Sequence, residues 1–221
     1  MNETISLPDN KDWDLFWKQD KVHINISWSK RRITSLLSNY INSKINVLDV
    51  GCGSGFFSNY FCQYCNKVSS LDYSNKALEL TRKITGGKTE LICADILEQG
   101  LMENINKRFD LIFSDGLLEH FSLDKQRRIL DNLYSLLNPG GRIITFVPNK
   151  WSPWQIIRPF FMPGIKETPF ILKDLIKLHR KASFNIEKSG GINTLPFRVS
   201  PDRLVGKLFG MLLFVVGQKE R

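Results

Sequence analysis

The sequence predicts a single α/β domain built around a mostly parallel sheet. Three observations carry that reading. Short β-rich runs alternate with helical patterns through residues 45–147. The runs are nearly continuously apolar, as strands covered on both faces are. The chain also has 221 residues, 42% hydrophobic and 24% charged, a size and balance suited to one substantial core.

Taken in order, Ile33, Leu36, Leu37, Tyr40 and Ile41 share one face of an amphipathic helix, which reads as an N-terminal helical cap over residues 1–43. Five strands are expected at Ile45–Val50, Lys67–Asp72, Thr89–Ala94, Phe109–Ser114 and Arg142–Val147. Between the fourth and fifth, Ser122 is a candidate N-cap for a helix whose apolar face is Ile129, Leu130, Leu133, Leu136 and Leu137. The run Asn138-Pro139-Gly140-Gly141 is expected to stop it. Phe184–Lys188 and Leu212–Gly217 are candidate sixth and seventh strands. Residues 44–147 therefore read as the core, and residues 148–221 as a lid insert followed by the last strands.

The longest apolar run, Met211 to Val216, is far short of the ~20 residues of a membrane-spanning helix. The N-terminus lacks the basic and apolar regions of a secretory leader. The four cysteines include one Cys62-x-x-Cys65 pair with no second pair or nearby histidines to complete a zinc site. A reducing cytoplasm and no metal are expected. The net charge of +9 is unevenly spread: residues 148–221 hold thirteen Lys/Arg against five Asp/Glu, whereas residues 51–147 hold eleven of each. All five tryptophans also lie outside residues 44–147.

The chemistry begins at Val47-Leu48-Asp49-Val50-Gly51-Cys52-Gly53-Ser54-Gly55. A buried strand running into three alternating glycines lets the backbone turn sharply and approach a ligand, with the free N–H groups of the next helix following. The spacing is Gly-x-Gly-x-Gly rather than the Gly-x-Gly-x-x-Gly of a pyrophosphate-binding dinucleotide loop, which favours a phosphate-free cofactor. Asp72, at the expected end of the second strand, can accept hydrogen bonds from both hydroxyls of a ribose, or can simply be a charge at a helix N-terminus. Asp95 and Ile96 follow the third strand at the same sheet edge. That carboxylate suits the exocyclic amine of an adenine, with a surface acid as the rival reading.

These pieces resemble class I S-adenosylmethionine-dependent methyltransferases, of the small-molecule group related to the ubiquinone and menaquinone methyltransferases. VLDVGCGSG, the acids of SSLDYS and ICADI, FDLIFSDGLLEHF and LLNPGGRIITFVPN occur in that family's order and spacing. The resemblance implies a Rossmann-like, doubly wound, seven-stranded sheet with a reversed last strand. It assigns Gly51, Cys52, Gly53 and Gly55 to the methionine end of S-adenosylmethionine and Asp49 to its amino group through water or backbone. Asp72 with Tyr73 would hold the ribose, Asp95 with Ile96 the adenine, and Ser114 would complete the cofactor set.

Beyond the fourth strand, Ser114-Asp115-Gly116-Leu117-Leu118-Glu119-His120 should face cofactor and acceptor, because ligands bind outside the carboxyl ends of such strands. The Asn/Asp-Pro-Pro-Tyr and Pro-Cys elements of two nucleobase methyltransferase types are absent, which disfavours those nucleic-acid substrates. His120 is the candidate base for a phenol, hydroxyl or acidic carbon, with Glu119 or Asp115 orienting it; packing or cofactor contact are the alternatives. His23 and His179 are expected in solvent. Trp151, Trp154 and Arg158 lie in a segment with four prolines in sixteen residues. With Trp13, Phe16, Trp17 and Trp28 it can form an aromatic lid over an apolar acceptor, or only cap the core. The basic residues Arg158, Lys166, Lys173, Lys177, Arg180 and Lys181 can attract an anionic substrate or membrane surface, or form a solvated face. The leading expectation is a methyltransferase for a small-molecule acceptor. The alternatives are an RNA or protein methyltransferase, a nicotinamide-dependent oxidoreductase and a cofactor-binding scaffold.

Overall fold

A computed structural model describes residues 28–156 and 167–221. In chain order the elements are α1 (Trp28–Leu37), β1 (Asn46–Val50), α2 (Phe56–Phe61), β2 (Lys67–Asp72), α3 (Asn75–Thr85), β3 (Glu90–Cys93), α4 (Leu101–Ile105) and β4 (Phe109–Asp115). After a 3₁₀ turn at Leu118–His120 come α5 (Leu123–Leu136), β5 (Leu137–Pro148), α6 (Leu172–Lys181), β6 (Asn185–Ile192), α7 (Asp202–Phe209) and β7 (Leu212–Gln218). The seven strands form one sheet in the order β3-β2-β1-β4-β5-β7-β6. The β1–β2, β1–β4, β2–β3 and β4–β5 pairs are parallel, whereas β7 is antiparallel to both neighbours. The strand order reverses direction between β1 and β4, the place where an open α/β sheet leaves a crevice at its carboxyl edge.

Side-chain alternation divides the core between the two faces of the sheet. Val47, Leu111, Phe113, Ile144 and Phe146 meet Ile33 and Leu37 of α1 and Phe57 and Phe61 of α2. Phe113 is central there, with ring centroids 4.7 Å from Phe57, 5.5 Å from Phe61 and 6.1 Å from Phe146. On the opposite face Leu48, Val50, Ile112, Ile143 and Val147 meet Ile129, Leu130, Leu133 and Leu136 of α5 and Leu175 and Leu178 of α6.

Three sequence expectations are corrected. Helix α1 ends at Leu37, so Tyr40 and Ile41 lie in the following turn. Ser38 and Asn39 end it by donating side-chain hydrogen bonds to the carbonyls of Ser35 and Leu36. Strand β5 begins at Leu137, the last residue of the expected helix face, and takes in the Asn138–Gly141 run ahead of the expected start at Arg142; Leu137 pairs with Phe109, and the Gly140 N–H bonds the Lys219 and Glu220 carbonyls. His179, expected in solvent, is fully buried on the core face of α6 beside Leu175 and Leu178. Its Nδ1 lies 2.9 Å from the Leu175 carbonyl, which only accepts, so Nδ1 carries the proton. Nε2 then accepts from the Thr145 hydroxyl at 3.0 Å.

Burial lowers the His179 imidazole to about 4, with the Leu175 hydrogen bond opposing. Between its ordinary value of 6.5 and about 4, an unfolded chain takes up the proton and the folded chain does not. Stability from this residue is therefore complete above pH 6.5 and is lost as pH falls toward 4. The difference in unfolding free energy between the parent and His179→Gln, measured by urea denaturation, should shrink by about 3 kcal/mol or less across that window. A pH-independent difference would contradict the buried neutral ring.

Candidate functional site

Gly51, Gly53 and Gly55 all adopt positive φ, at +66°, +53° and +79°. The loop is pinned from below, because Gly51 and Cys52 both donate their N–H groups to the Leu71 carbonyl of β2. Helix α3 pins it from the side, where the Thr81 hydroxyl donates to the Gly53 carbonyl at 3.1 Å. A Cβ at Gly55 would lie 2.7 Å from the Thr81 Cα, so the loop–helix approach requires glycine there. Cys52 is buried with Sγ 3.4 Å from the Thr81 hydroxyl. Burial, helped by the Asp49 and Asp72 carboxylates, pushes its thiol well above the usual range, which makes it a packing group.

Asp72 ends β2 and is buried. Its Oδ2 accepts the Gly53 N–H and its Oδ1 accepts the Ser74 N–H, each at 3.0 Å. Ser74 caps α3 by accepting from Ala77 N, so one carboxylate joins the glycine loop to a helix N-terminus. A carboxylate oxygen can accept more than one hydrogen bond. Behind the loop, Asp49 accepts from Ser58 Oγ at 2.6 Å, and Ser58 accepts from Ser70 Oγ at 2.7 Å. Burial raises the Asp49 carboxyl to about 7, the Ser58 bond opposes this, and the Asp115 and Asp72 carboxylates add to it.

The ends of β3 and β4 complete the edge. Asp95 is exposed and its Oδ1 accepts from Leu97 N at 2.9 Å. Ile96 buries its side chain in the core while its carbonyl accepts from Asn132 Nδ2 at 2.7 Å. Tyr73 is half-buried and Ser114 fully buried. Burial raises the Asp115 carboxyl to about 7, with Lys30 opposing. Lys30, from α1, lies 4.1 Å over the Phe56 ring; burial lowers its amine and Asp115 opposes.

His120 and Glu119 are buried in the 3₁₀ turn, and Glu167 joins them from the chain after β5; one ligand-type atom from each lies within 4.8 Å of the others. The Thr168 N–H also donates to the Glu119 carbonyl at 2.9 Å, which fixes that later segment against the turn.

The cofactor set read from the sequence thus occupies one edge of the sheet: Asp49 and the glycine loop at β1, Asp72 and Tyr73 at β2, Asp95 and Ile96 after β3, and Ser114 at β4. Of the lid candidates, Trp151 is exposed and Trp154 is half-buried. Trp17 and Arg158, with His23, lie outside the described residues, and Trp28 opens α1 with its side chain outside them. Lys30, Ser58 and Glu167 are additions. Their partners are distant in the chain, and no local motif marks them.

Residues 47–141 match the methyltransferase domain family. That stretch, under half of the chain, is similar to methyltransferase domains. A malonyl-[acyl-carrier protein] O-methyltransferase from Priestia megaterium is 30% identical over 121 residues, covering 53% of this chain and 42% of that protein. A human tRNA N(3)-cytidine methyltransferase is 25% identical over 150 residues, covering 61% and 51%. The chain spans about half the length of these curated relatives. The N-methyltransferase NodS from Bradyrhizobium japonicum, solved with S-adenosyl-L-homocysteine, superimposes with a TM-score of 0.67 at 17% identity, covering 96% of this chain and 100% of that one. That likeness concerns the methyltransferase fold, including its reversed β7.

Gly55→Ala should lower stability by about 2 kcal/mol or more, since a side chain would meet both an unfavourable φ and the Thr81 backbone. Thermal unfolding checks this. An unchanged Tm would show that the loop and α3 separate without cost.

Proposed function

We propose that the protein is an S-adenosylmethionine-dependent methyltransferase acting on a small-molecule acceptor. The observation that carries this reading is the Asp72 carboxylate, held by Gly53 N and Ser74 N beside the glycine loop. The residues present suit the cofactor electrostatically. Asp49 senses both Asp72 and Asp115, so three carboxylates converge where the loop leaves β1. The Asp72 carboxylate repels a pyrophosphate and attracts a ligand bearing a sulfonium and an ammonium group, and such a cationic ligand would favour the ionised forms of Asp49 and Asp115. Asp72 would hold the ribose hydroxyls, Asp95 and Ile96 would flank the adenine, and Gly51 to Gly55 would border the methionine end.

When bound, the cofactor supplies a methyl group already activated by sulfonium. The protein's work is then to align the acceptor and exclude water. Ser114, Asp115 and the 3₁₀ turn border the acceptor side. His120 takes the proton from a hydroxyl or acidic carbon, with the Glu119 and Glu167 carboxylates beside it. An acceptor that is already anionic needs no such step. Similarity to a malonyl-[acyl-carrier protein] O-methyltransferase supports an anionic or apolar small acceptor of that kind.

Calorimetric titration should show S-adenosylhomocysteine binding in preference to NADH. Two charge-assisted hydrogen bonds lost in Asp72→Ala should weaken binding by roughly 10²-fold or more. Unchanged affinity in a folded Asp72→Ala protein would remove the assignment. Once an acceptor is in hand, His120→Ala separates the two proton schemes. With a hydroxyl or carbon acceptor, turnover should fall by ~10² to 10⁴ while S-adenosylhomocysteine affinity holds. Retained turnover with weakened cofactor binding would instead put His120 in the cofactor shell.

A further inference from the structure

The connection from β6 to β7 carries a surface that the methyltransferase reading leaves unused. Among the described residues ten large apolar side chains are exposed, and eight of them lie in 151–156 and 195–209. Trp151 is 61% exposed, Leu204 86% and Leu208 58%; Ile156, Phe197 and Val199 are further members. Both segments leave the sheet at one edge. Pro148 at the end of β5 pairs with Leu212 at the start of β7, which pairs with Ile192 at the end of β6. This is the carboxyl edge of the parallel strands, where the glycine loop and the β4 turn also lie.

The apolar side chains are displayed by a fixed backbone. Gly191 of β6 and Gly206 of α7 meet main chain to main chain, since a Cβ on Gly191 would fall 1.9 Å from the Gly206 carbonyl oxygen. With that face of α7 against the sheet, Leu204 and Leu208 project outward one turn apart. Arg32 of α1 pairs with Asp202 at 3.2 Å and donates to the Asn193 side chain and the Leu195 carbonyl, which holds the preceding loop. Asn149 donates to the Leu208 and Gly210 carbonyls and accepts from Trp151 N, so the tryptophan segment and the end of α7 share one anchor.

The charges nearby have one sign. Lys150, Arg198, Arg203 and Lys207 are exposed. The only acid in residues 195–211 is Asp202, which is held by Arg32, Ser200 and the N–H groups of Asn193 and Thr194. On α7, Arg203 and Lys207 form a basic row beside the Leu204 and Leu208 row. No described helix is long and apolar enough to cross a membrane. Bulky apolar tips beside unopposed cations are the chemistry of a segment lying in the headgroup region of an anionic bilayer.

We propose that α7, the loop before it and Trp151 form a peripheral docking surface for anionic lipid membranes, presenting the carboxyl edge of the sheet to the bilayer. The inference does not depend on the identity of the methyl acceptor. It is tested by flotation of the full chain with vesicles of phosphatidylcholine alone and of phosphatidylcholine with an equal part of phosphatidylglycerol. Recovery should be high on the anionic vesicles and low on the neutral ones. Leu204→Glu/Leu208→Glu and Arg203→Glu/Lys207→Glu should each reduce recovery about tenfold or more, with the thermal midpoint unchanged. Absence of binding to anionic vesicles, or full binding by the folded leucine variant, would overturn the proposal. So would light scattering that shows a dimer dissolved by the leucine variant, or acidic carrier-protein binding lost in that variant, with no vesicle binding by the parent.

Discussion

The site depends on one carboxylate that joins two pieces of backbone. Asp72 accepts the Gly53 N–H from the loop after β1 and the Ser74 N–H from the start of α3. Hydrogen bonds to a charged acceptor contribute about 1.5–3 kcal/mol each, enough to fix a loop whose three glycines would otherwise sample many conformations. The rest of the loop geometry follows from that placement. With Gly53 held, Thr81 reaches its carbonyl, and Gly55 passes so close to α3 that a side chain there has no room. The same carboxylate acts on Asp49, whose carboxyl burial raises to about 7 and the Asp115 and Asp72 charges raise further.

Topology then separates the tasks. The order reversal between β1 and β4 opens the crevice, with the glycine loop and Asp72 on one side and the β4 turn on the other. Helix α1 closes part of that opening by bringing Lys30 over Phe56 and toward Asp115, and Arg32 onto the loop before α7. The reversed strand β7 has a second consequence. It forces the β6–β7 connection back to the carboxyl edge, which sets the exposed leucines and basic residues of α7 on the same side of the molecule as the site.

Much of this was legible in the sequence because it rests on local pattern. Lys67–Asp72 is a strand with the expected bounds, and Ser122 stands at the expected helix start, without a side-chain cap bond. Failures came where distant backbone decides. The helix does end before the Asn138-Pro139-Gly140-Gly141 run, but Gly140 finds partners at Lys219 and Glu220, so the run belongs to β5, which starts earlier than Arg142. His179 stands in a Lys/Arg-rich stretch, so composition pointed to solvent. Its position one turn after Leu175 instead placed it on the core face, where Thr145 and the Leu175 carbonyl satisfy both ring nitrogens. Glu167 and Lys30 carry no motif, because each acquires its neighbours only through the fold.

The most direct measurement is a crystal structure of the protein soaked with S-adenosylhomocysteine. The ribose hydroxyls should lie within hydrogen-bond distance of the two Asp72 oxygens, with the homocysteine portion along Gly51 to Gly55 and the sulfur facing the turn that carries His120. A ligand bound away from the end of β2, or a ribose beyond hydrogen-bond distance of Asp72, would contradict the assignment of this edge as the cofactor site.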